Sequence, residues 1–92
     1  MRGTRLALTF VTHEDARPEL AFAIPRKVGN AVIRNRCRRR LRPLFVEHHR
    51  AGRLRPGAYL LQVHTRIDEL AAADVAAELD ALLAALDARV AG

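Results

Sequence analysis

Residues 26–42 read RKVGNAVIRNRCRRRLR, and the fold is decided by how this stretch is understood. Asn30 is a favoured helix N-cap, because its side-chain oxygen can accept from a backbone N–H of the first turn, and Gly29 before it lets the chain bend sharply. A helix is predicted from Ala31. Beyond it Ile33, Cys37, Leu41, Leu44, Phe45 and His48 recur at helical spacing in one stripe about a hundred degrees wide, which must face a core. Arg34 and Arg40 flank that stripe, while Asn35, Arg36, Arg38, Arg39 and Arg42 cover the rest of the circumference. No acid stands three or four residues from any of these arginines.

Like charges four apart, as in Arg34/Arg38, Arg36/Arg40 and Arg38/Arg42, each cost a few tenths of a kcal/mol in an isolated helix. A polyanion removes that cost. Arginine suits the same conclusion better than lysine, since its planar fork donates two parallel hydrogen bonds to a phosphate or a guanine edge. A helix face that is merely solvated normally mixes signs, and this one does not.

The chain has 92 residues, enough for one small domain, and a net charge of +6 with half its residues apolar. Many of these are alanine, so the core is expected to be thin and built mainly of leucine. Charge is unevenly placed: residues 26–55 hold eleven Lys or Arg against the single acid Glu47, whereas residues 68–92 hold six acids against Arg89. A basic face beside an acidic helix is the footprint of a nucleic-acid binder. One cysteine, Cys37, cannot form an intramolecular disulfide, and its place on the apolar stripe marks it as a small core residue in a reducing compartment. The N-terminus lacks the pattern of a signal peptide and no stretch reaches membrane-spanning length, which predicts a soluble cytoplasmic protein with no membrane partner.

Thr4 to Thr12 alternates, with Leu6, Leu8 and Phe10 on one side, and reads as a strand. His13 to Glu19 has no periodicity and is expected to be a hairpin loop. Leu20 to Pro25 reads as a second strand with Leu20, Phe22 and Ile24 on its bulky side, ended by Pro25, which cannot donate to a ladder. Pro43 predicts a kink near Arg39 in a helix that otherwise continues in phase. Gly52 and Pro56-Gly57 close the helix and make a turn. Ala58 to His64 is a third strand with Tyr59, Leu61 and Val63 together. Asp74 to Val90 is an amphipathic helix burying Val75, Leu79, Leu82, Leu83, Leu86 and Val90, with Asp74 and Glu78 suiting the helix dipole. These elements make an α+β fold, a small two-layer sandwich of a three- to four-stranded sheet packed on a basic central helix and a C-terminal amphipathic helix. A shallower sheet face of Ala7, Thr9, Ala21, Ala23, Gln62 and His64 is left open, with room for a ligand.

Protein-borne chemistry has little support. Cys37 and His48 lie on one helix face but about 16 Å apart, too far to share a metal ion. His48 reads as a partly buried helix residue and His49 as solvent-facing. His13 beside Glu14 and Asp15 is too ordinary a grouping for an acid–base pair. Serine is absent, and no phosphate-loop, nucleophile-elbow or paired-carboxylate motif occurs.

The run from Lys27 onward resembles the protein component of bacterial ribonuclease P, whose signature is a K-x-G-N turn followed by a helix carrying R-N-R-x-[KR]-R-x-x-R. Lys27, Gly29 and Asn30 match the turn; Arg34, Asn35, Arg36, Arg38, Arg39 and Arg42 match the helix without a gap, and a weaker likeness runs on to the C-terminus. The resemblance implies one RNA-binding domain over residues 1–92, with a left-handed βαβ crossover through the basic helix, against the usual right-handed preference. It implies RNA binding by Arg26, Lys27, Asn30, Arg34, Asn35, Arg36, Arg38, Arg39, Arg40 and Arg42, with ribonuclease P RNA as partner and precursor tRNA as substrate of the assembly. Hydrolysis is then expected in the RNA subunit, where Mg²⁺ binds; the protein has no catalytic residue, no metal site and no cofactor of its own. Family members usually begin with a further helix that walls the cleft for the 5′ leader. This chain starts at its first strand without it, so leader contact is left to Phe10 and Tyr59, both of which read more readily as core. The rival expectation is a generic RNA-binding module of a ribosomal or ribosome-associated protein; charge and size suit it equally, and the K-x-G-N turn in register with R-N-R separates the two. A DNA partner is not expected, because neither a symmetric dimer nor a turn-helix pair has a signal here.

Overall fold

The computed structural model describes residues 3, 5–12 and 17–91. Three strands, β1 (Leu6–Val11), β2 (Pro18–Ala23) and β3 (Gly57–Val63), form one sheet, with helix α1 (Ala31–Arg50) between β2 and β3 and helix α2 (Ala72–Ala91) at the end. Short 3-10 turns precede each helix, at Arg26–Val28 and Ile67–Glu69.

The strand order is β1-β3-β2. β3 pairs antiparallel with β1 and parallel with β2, so β2, α1 and β3 form a βαβ unit. β1 and β2 do not pair, and the expected hairpin is therefore corrected: β3, whose alternate residues are buried along its whole length, takes the central place and hydrogen-bonds to both earlier strands. Residues 13–16 of that connection, with His13, Glu14 and Asp15, lie outside the described residues, as does Thr4 at the expected start of β1. Pro18, expected in the loop, opens β2, where an edge strand tolerates a missing N–H.

Register explains the core. Phe10 and Leu20 both stand opposite Tyr59, and Leu8 and Phe22 both stand opposite Leu61. These bulky residues share one face, onto which α1 brings Cys37, Leu41 and Phe45 and α2 brings Val75, Leu79, Leu82, Leu83 and Leu86, all buried. Each such aliphatic or aromatic side chain contributes about 1.5–3 kcal/mol relative to exposure. Val90, expected on the same stripe of α2, is instead 45% exposed, at the rim of a depression that it lines with Leu8, Thr9 and Phe10 of β1. On the other face Ala7, Gln62 and Ala23 form one row and Thr9, Leu60 and Ala21 the next; Thr9 and Ala21 are exposed as alternation predicts, whereas Ala7 is buried and Leu60 adds a bulky residue to the middle of the face.

α1 begins as predicted, with Asn30 Oδ1 accepting from the Ile33 N–H at 3.0 Å. Gly29 is extended, with φ 164°, so it holds no angle peculiar to glycine. Its requirement is steric, because a Cβ there would stand 2.6 Å from Cγ2 of Ile33. The helix passes through Pro43 without a break. Pro43 and Arg39 are exposed, so the carbonyl left without a partner is solvated, while Leu41 and Phe45 on either side of the proline are buried and hold both halves to one core. The helix ends in a Schellman motif: Gly52, at φ 69°, donates to His49 O, and Arg53 donates to His48 O.

Candidate RNA interface on helix α1

Two anchors fix the basic helix in rotation. The first is the buried stripe of Cys37, Leu41 and Phe45. The second is Arg40, whose guanidinium turns away from solvent and donates to the backbone carbonyls of Ile67 and Leu70. Arg40 thereby ties the turn after β3 to the middle of α1, a structural duty that its place among the expected RNA-binding residues did not reveal. Arg34, on the other flank of the stripe, is half-buried, and its Nε has no hydrogen-bond partner among the described residues.

The remaining members point outward. Asn35, Arg36, Arg39 and Arg42 are exposed, as are Arg26 and Lys27 on the preceding turn. Arg38 Nη1 donates to Asn35 Oδ1 at 2.9 Å, so the asparagine of the R-N-R motif orients an arginine one turn on and keeps its own amide N–H groups free to donate. Among the described residues no carboxylate lies within ion-pair distance of Arg36, Arg38, Arg39 or Arg42. A shallow depression of about 590 Å³ runs along this face, lined by Asn35, Arg38, Arg39, Arg42, Val46 and Arg50 among others. Arg50, absent from the expected set, shares this face by its spacing, since Arg39, Arg42, Val46 and Arg50 recur at i, i+3, i+7 and i+11, but its Nη1 stands 3.8 Å from Oε1 of Glu47, which also lines the depression. Asn30, also exposed, gives its Oδ1 to the cap, which like that of Asn35 leaves its amide N–H groups to donate.

Apart from Glu47, the acids of the described residues lie on other elements, and several are engaged. Asp80 Oδ1 of α2 stands 2.6 Å from Nε2 of His48, and Asp87 accepts from Arg55 Nε at 2.9 Å. Glu78, expected only to complement the helix dipole, has a larger part: its Oε2 accepts from the backbone N–H groups of Arg5 and Leu6 at 2.8 and 2.7 Å. Asp68 accepts from Nε and Nη2 of Arg66; that hydrogen-bonded guanidinium lowers its carboxyl below the ordinary range against the cost of desolvation, and the nearby charge of Arg36 adds to the effect. The acidic half of the sequence thus pins α2 to the rest of the molecule, and on the outer face of α1 Glu47 pairs with Arg50, at the C-terminal end of the helix.

Of the two aromatic candidates for base stacking, Phe10 is half-buried and Tyr59 is not free to stack. Tyr59 is 2% exposed, its hydroxyl donates to Arg55 O at 2.9 Å, and its ring packs on Phe10 and Phe45 at 4.8 and 5.9 Å between centroids. Burial pushes its phenol pKa up. His64, just beyond β3, is half-buried, with Nε2 lacking a partner among the described residues. Cys37 is fully buried and its thiol pKa is likewise raised by desolvation. Among the described residues no cluster of three or more His, Cys, Asp or Glu side chains is placed to hold a metal ion, and no helix is long and apolar enough to cross a membrane.

Known proteins share both this architecture and this sequence. The ribonuclease P protein component of Micrococcus luteus is 47% identical over 47 residues, which are 51% of this chain and 36% of that protein. That of Thermobifida fusca is 38% identical over 73 residues, 78% of this chain and 48% of the relative. The matched stretches thus span at most about half the length of these curated relatives. The RNase P protein of Staphylococcus aureus superposes with a TM-score of 0.81 at 17% identity, covering 94% of this chain and 78% of the other. The RNase P protein from Thermotoga maritima gives 0.79 at 18%, covering 90% and 78%; at such identities the likeness is one of fold. The ribonuclease P family model matches residues 1–87, and with nearly the whole chain so covered, the protein belongs to the ribonuclease P protein family.

Proposed function

We propose that this chain is the RNA-binding protein subunit of ribonuclease P, a single domain over residues 1–92 that assists a catalytic RNA in endonucleolytic removal of the 5′ leader from precursor tRNA. The observation that carries this reading is the outer face of α1, where Arg36, Arg38, Arg39 and Arg42 project from a helix locked to the core, with no carboxylate in ion-pair distance among the described residues. Phosphates of the RNA subunit take the place of the missing counter-charges. Binding releases condensed counterions, so affinity falls steeply with salt, with a log–log slope on the order of minus four to minus seven for several contacts. Because the helix cannot rotate, its arginines meet the RNA backbone without a large ordering cost.

Hydrolysis and its Mg²⁺ belong to the RNA in this reading; the protein's part is to hold and to orient. The leader lies across the open face of the sheet, where Thr9, Gln62 and the small Ala21 and Ala23 allow a single strand to approach the backbone closely. Tyr59 is not available for stacking there, so contacts to sugar and phosphate carry that interaction. Reconstitution tests the reading directly: the purified protein should raise leader removal by a bacterial ribonuclease P RNA at low magnesium. Arg36→Ala with Arg39→Ala should remove that stimulation and flatten the salt slope by about one per lost phosphate contact, with an unchanged melting temperature. A stably folded double variant that retains both stimulation and slope would overturn the assignment of α1.

A further inference from the structure

The strand order leaves β2 at an edge of the sheet, and on the helix side of that edge lies a groove of about 410 Å³. Its floor is apolar, made by Leu20 of β2 and by Phe45 and Val46 of α1; its rim carries Arg17, Arg42 and His49. Phe45 is 4% exposed and belongs to the core, whereas Val46 is 40% exposed, so a rigid floor is open to solvent. The volume falls at the small end of ligand pockets, which run from about 300 to 1,000 Å³. There is room for one nucleotide and not for a folded partner.

Two observations select the occupant. The first is chemical. Among the described residues no carboxylate lines the groove, and an apolar floor edged with guanidinium groups matches a molecule that presents a flat base and an anionic phosphate together. The second is continuity. Arg42 and Val46 line both this groove and the depression on the basic face of α1. Arg42 is held there by its guanidinium, whose centre stands 5.5 Å from the centroid of the Phe22 ring of β2, within cation–π range. A strand whose phosphates follow the arginines of α1 therefore reaches the groove through Arg42, which lines both.

We propose that the groove between β2 and the C-terminal half of α1 holds one unpaired nucleotide of the RNA bound along α1, its base on Leu20 and Val46 and its phosphate between Arg17 and Arg42. The nucleotide is unpaired because only a base released from its stack can lay its face on a protein floor. This subsite rests on the reading of α1 as the RNA surface, and it lies on the opposite side of the sheet from the face of Thr9, Ala21 and Gln62.

The test uses the whole chain and two probes, a single-stranded oligouridine carrying 4-thiouridine and a blunt RNA duplex. Photo-cross-links to the single strand are expected within residues 17–20 and 42–49. Arg17→Ala with His49→Ala is expected to weaken single-strand binding about five- to tenfold at moderate salt and to flatten its salt slope by about one, while duplex binding is unchanged. Val46→Asp, at an exposed position of α1, should weaken the single strand alike by placing a carboxylate on the floor. Cross-links confined to the open sheet face, or wild-type single-strand affinity in both folded variants, would overturn the subsite. If the wild type binds both probes and only Arg36→Ala/Arg39→Ala weakens them, the reading of α1 stands and the groove proposal fails. If the wild type binds neither probe, both fall.

Discussion

Removing the carboxylate of Glu78 should cost this protein more than removing any of its exposed charges. Glu78 sits on the second turn of α2 with 11% of its side chain exposed. One oxygen, Oε2, accepts from two consecutive backbone N–H groups, those of Arg5 and Leu6, while Oε1 lies 3.6 Å from the Arg5 guanidinium. A hydrogen bond to a charged group contributes about 1.5–3 kcal/mol net, and leaving its partner buried and unpaired brings the cost toward the upper end. The exposed part of the Arg5 pair adds little. Two such bonds place Glu78→Ala at about 3–4 kcal/mol, allowing for water that reaches the half-buried Arg5. In a domain of this size about 4–8 °C of melting temperature are lost per kcal/mol, so a fall of about 12–32 °C is expected by circular dichroism. Glu78→Gln keeps one carbonyl oxygen that can serve both N–H groups and loses only the charge, so it should cost about 1–2 kcal/mol. Native-state hydrogen exchange should show faster exchange of the Leu6 amide in the alanine variant, because β1 is freed at its start. An alanine variant within about 0.5 kcal/mol of wild type, or one less costly than the glutamine variant, would refute the claim that this carboxylate fastens β1 to α2.

Gly57 and Gly52 both have positive φ, at 153° and 69°, but a Cβ at Gly57 would stand 2.7 Å from Val11 O and 2.5 Å from the Phe10 ring, whereas nothing lies within 4 Å of one at Gly52. Gly52→Ala should therefore cost about 1–2 kcal/mol, the strain of the left-handed conformation alone, and Gly57→Ala clearly more, read as midpoints in urea; equal costs would contradict the close approach of β1 to β3. Asp68, held low by Arg66, binds fewer protons folded than unfolded, so its stabilising share is present above the unfolded carboxylate value of about 3.9 and is lost as pH falls through its lowered folded value. Asp68→Asn should accordingly be less stable than wild type near neutrality, with the gap closing at acid pH; a gap that stays constant down the acid limb would refute the pairing.

Much of this molecule is written locally. The Asn30 cap, the stripe of Cys37, Leu41 and Phe45, and the alternation of Leu6, Leu8, Tyr59 and Leu61 depend on periods of 3.6 and 2 that any short window displays. The lack of acids three or four residues from the α1 arginines is also a local fact, and it pointed to a polyanion before any fold was known. The strand pairing was not legible, because two strands joined by a short loop suggest a hairpin, and nothing near them in sequence reveals that β3, more than thirty residues later, will slip between.

What residues do with their hydrogen bonds was decided only when distant segments met. Arg40 reads like its neighbours, yet the turn at Ile67–Leu70 folds under it and takes its guanidinium out of the solvent-facing set. Glu78 reads as one more acid near a helix start, yet the edge of β1 arrives with two N–H groups to be satisfied. Val90 continues the apolar spacing of α2, yet it stands 45% exposed at the rim of the core. Taken alone, the chain's order of residues determined which elements form, which faces they bury and where positive charge gathers, because those depend on neighbours within a turn or a strand. Tertiary structure decided which strands pair, which arginines remain exposed and where a groove opens beside them, because each of those depends on a partner far away along the chain.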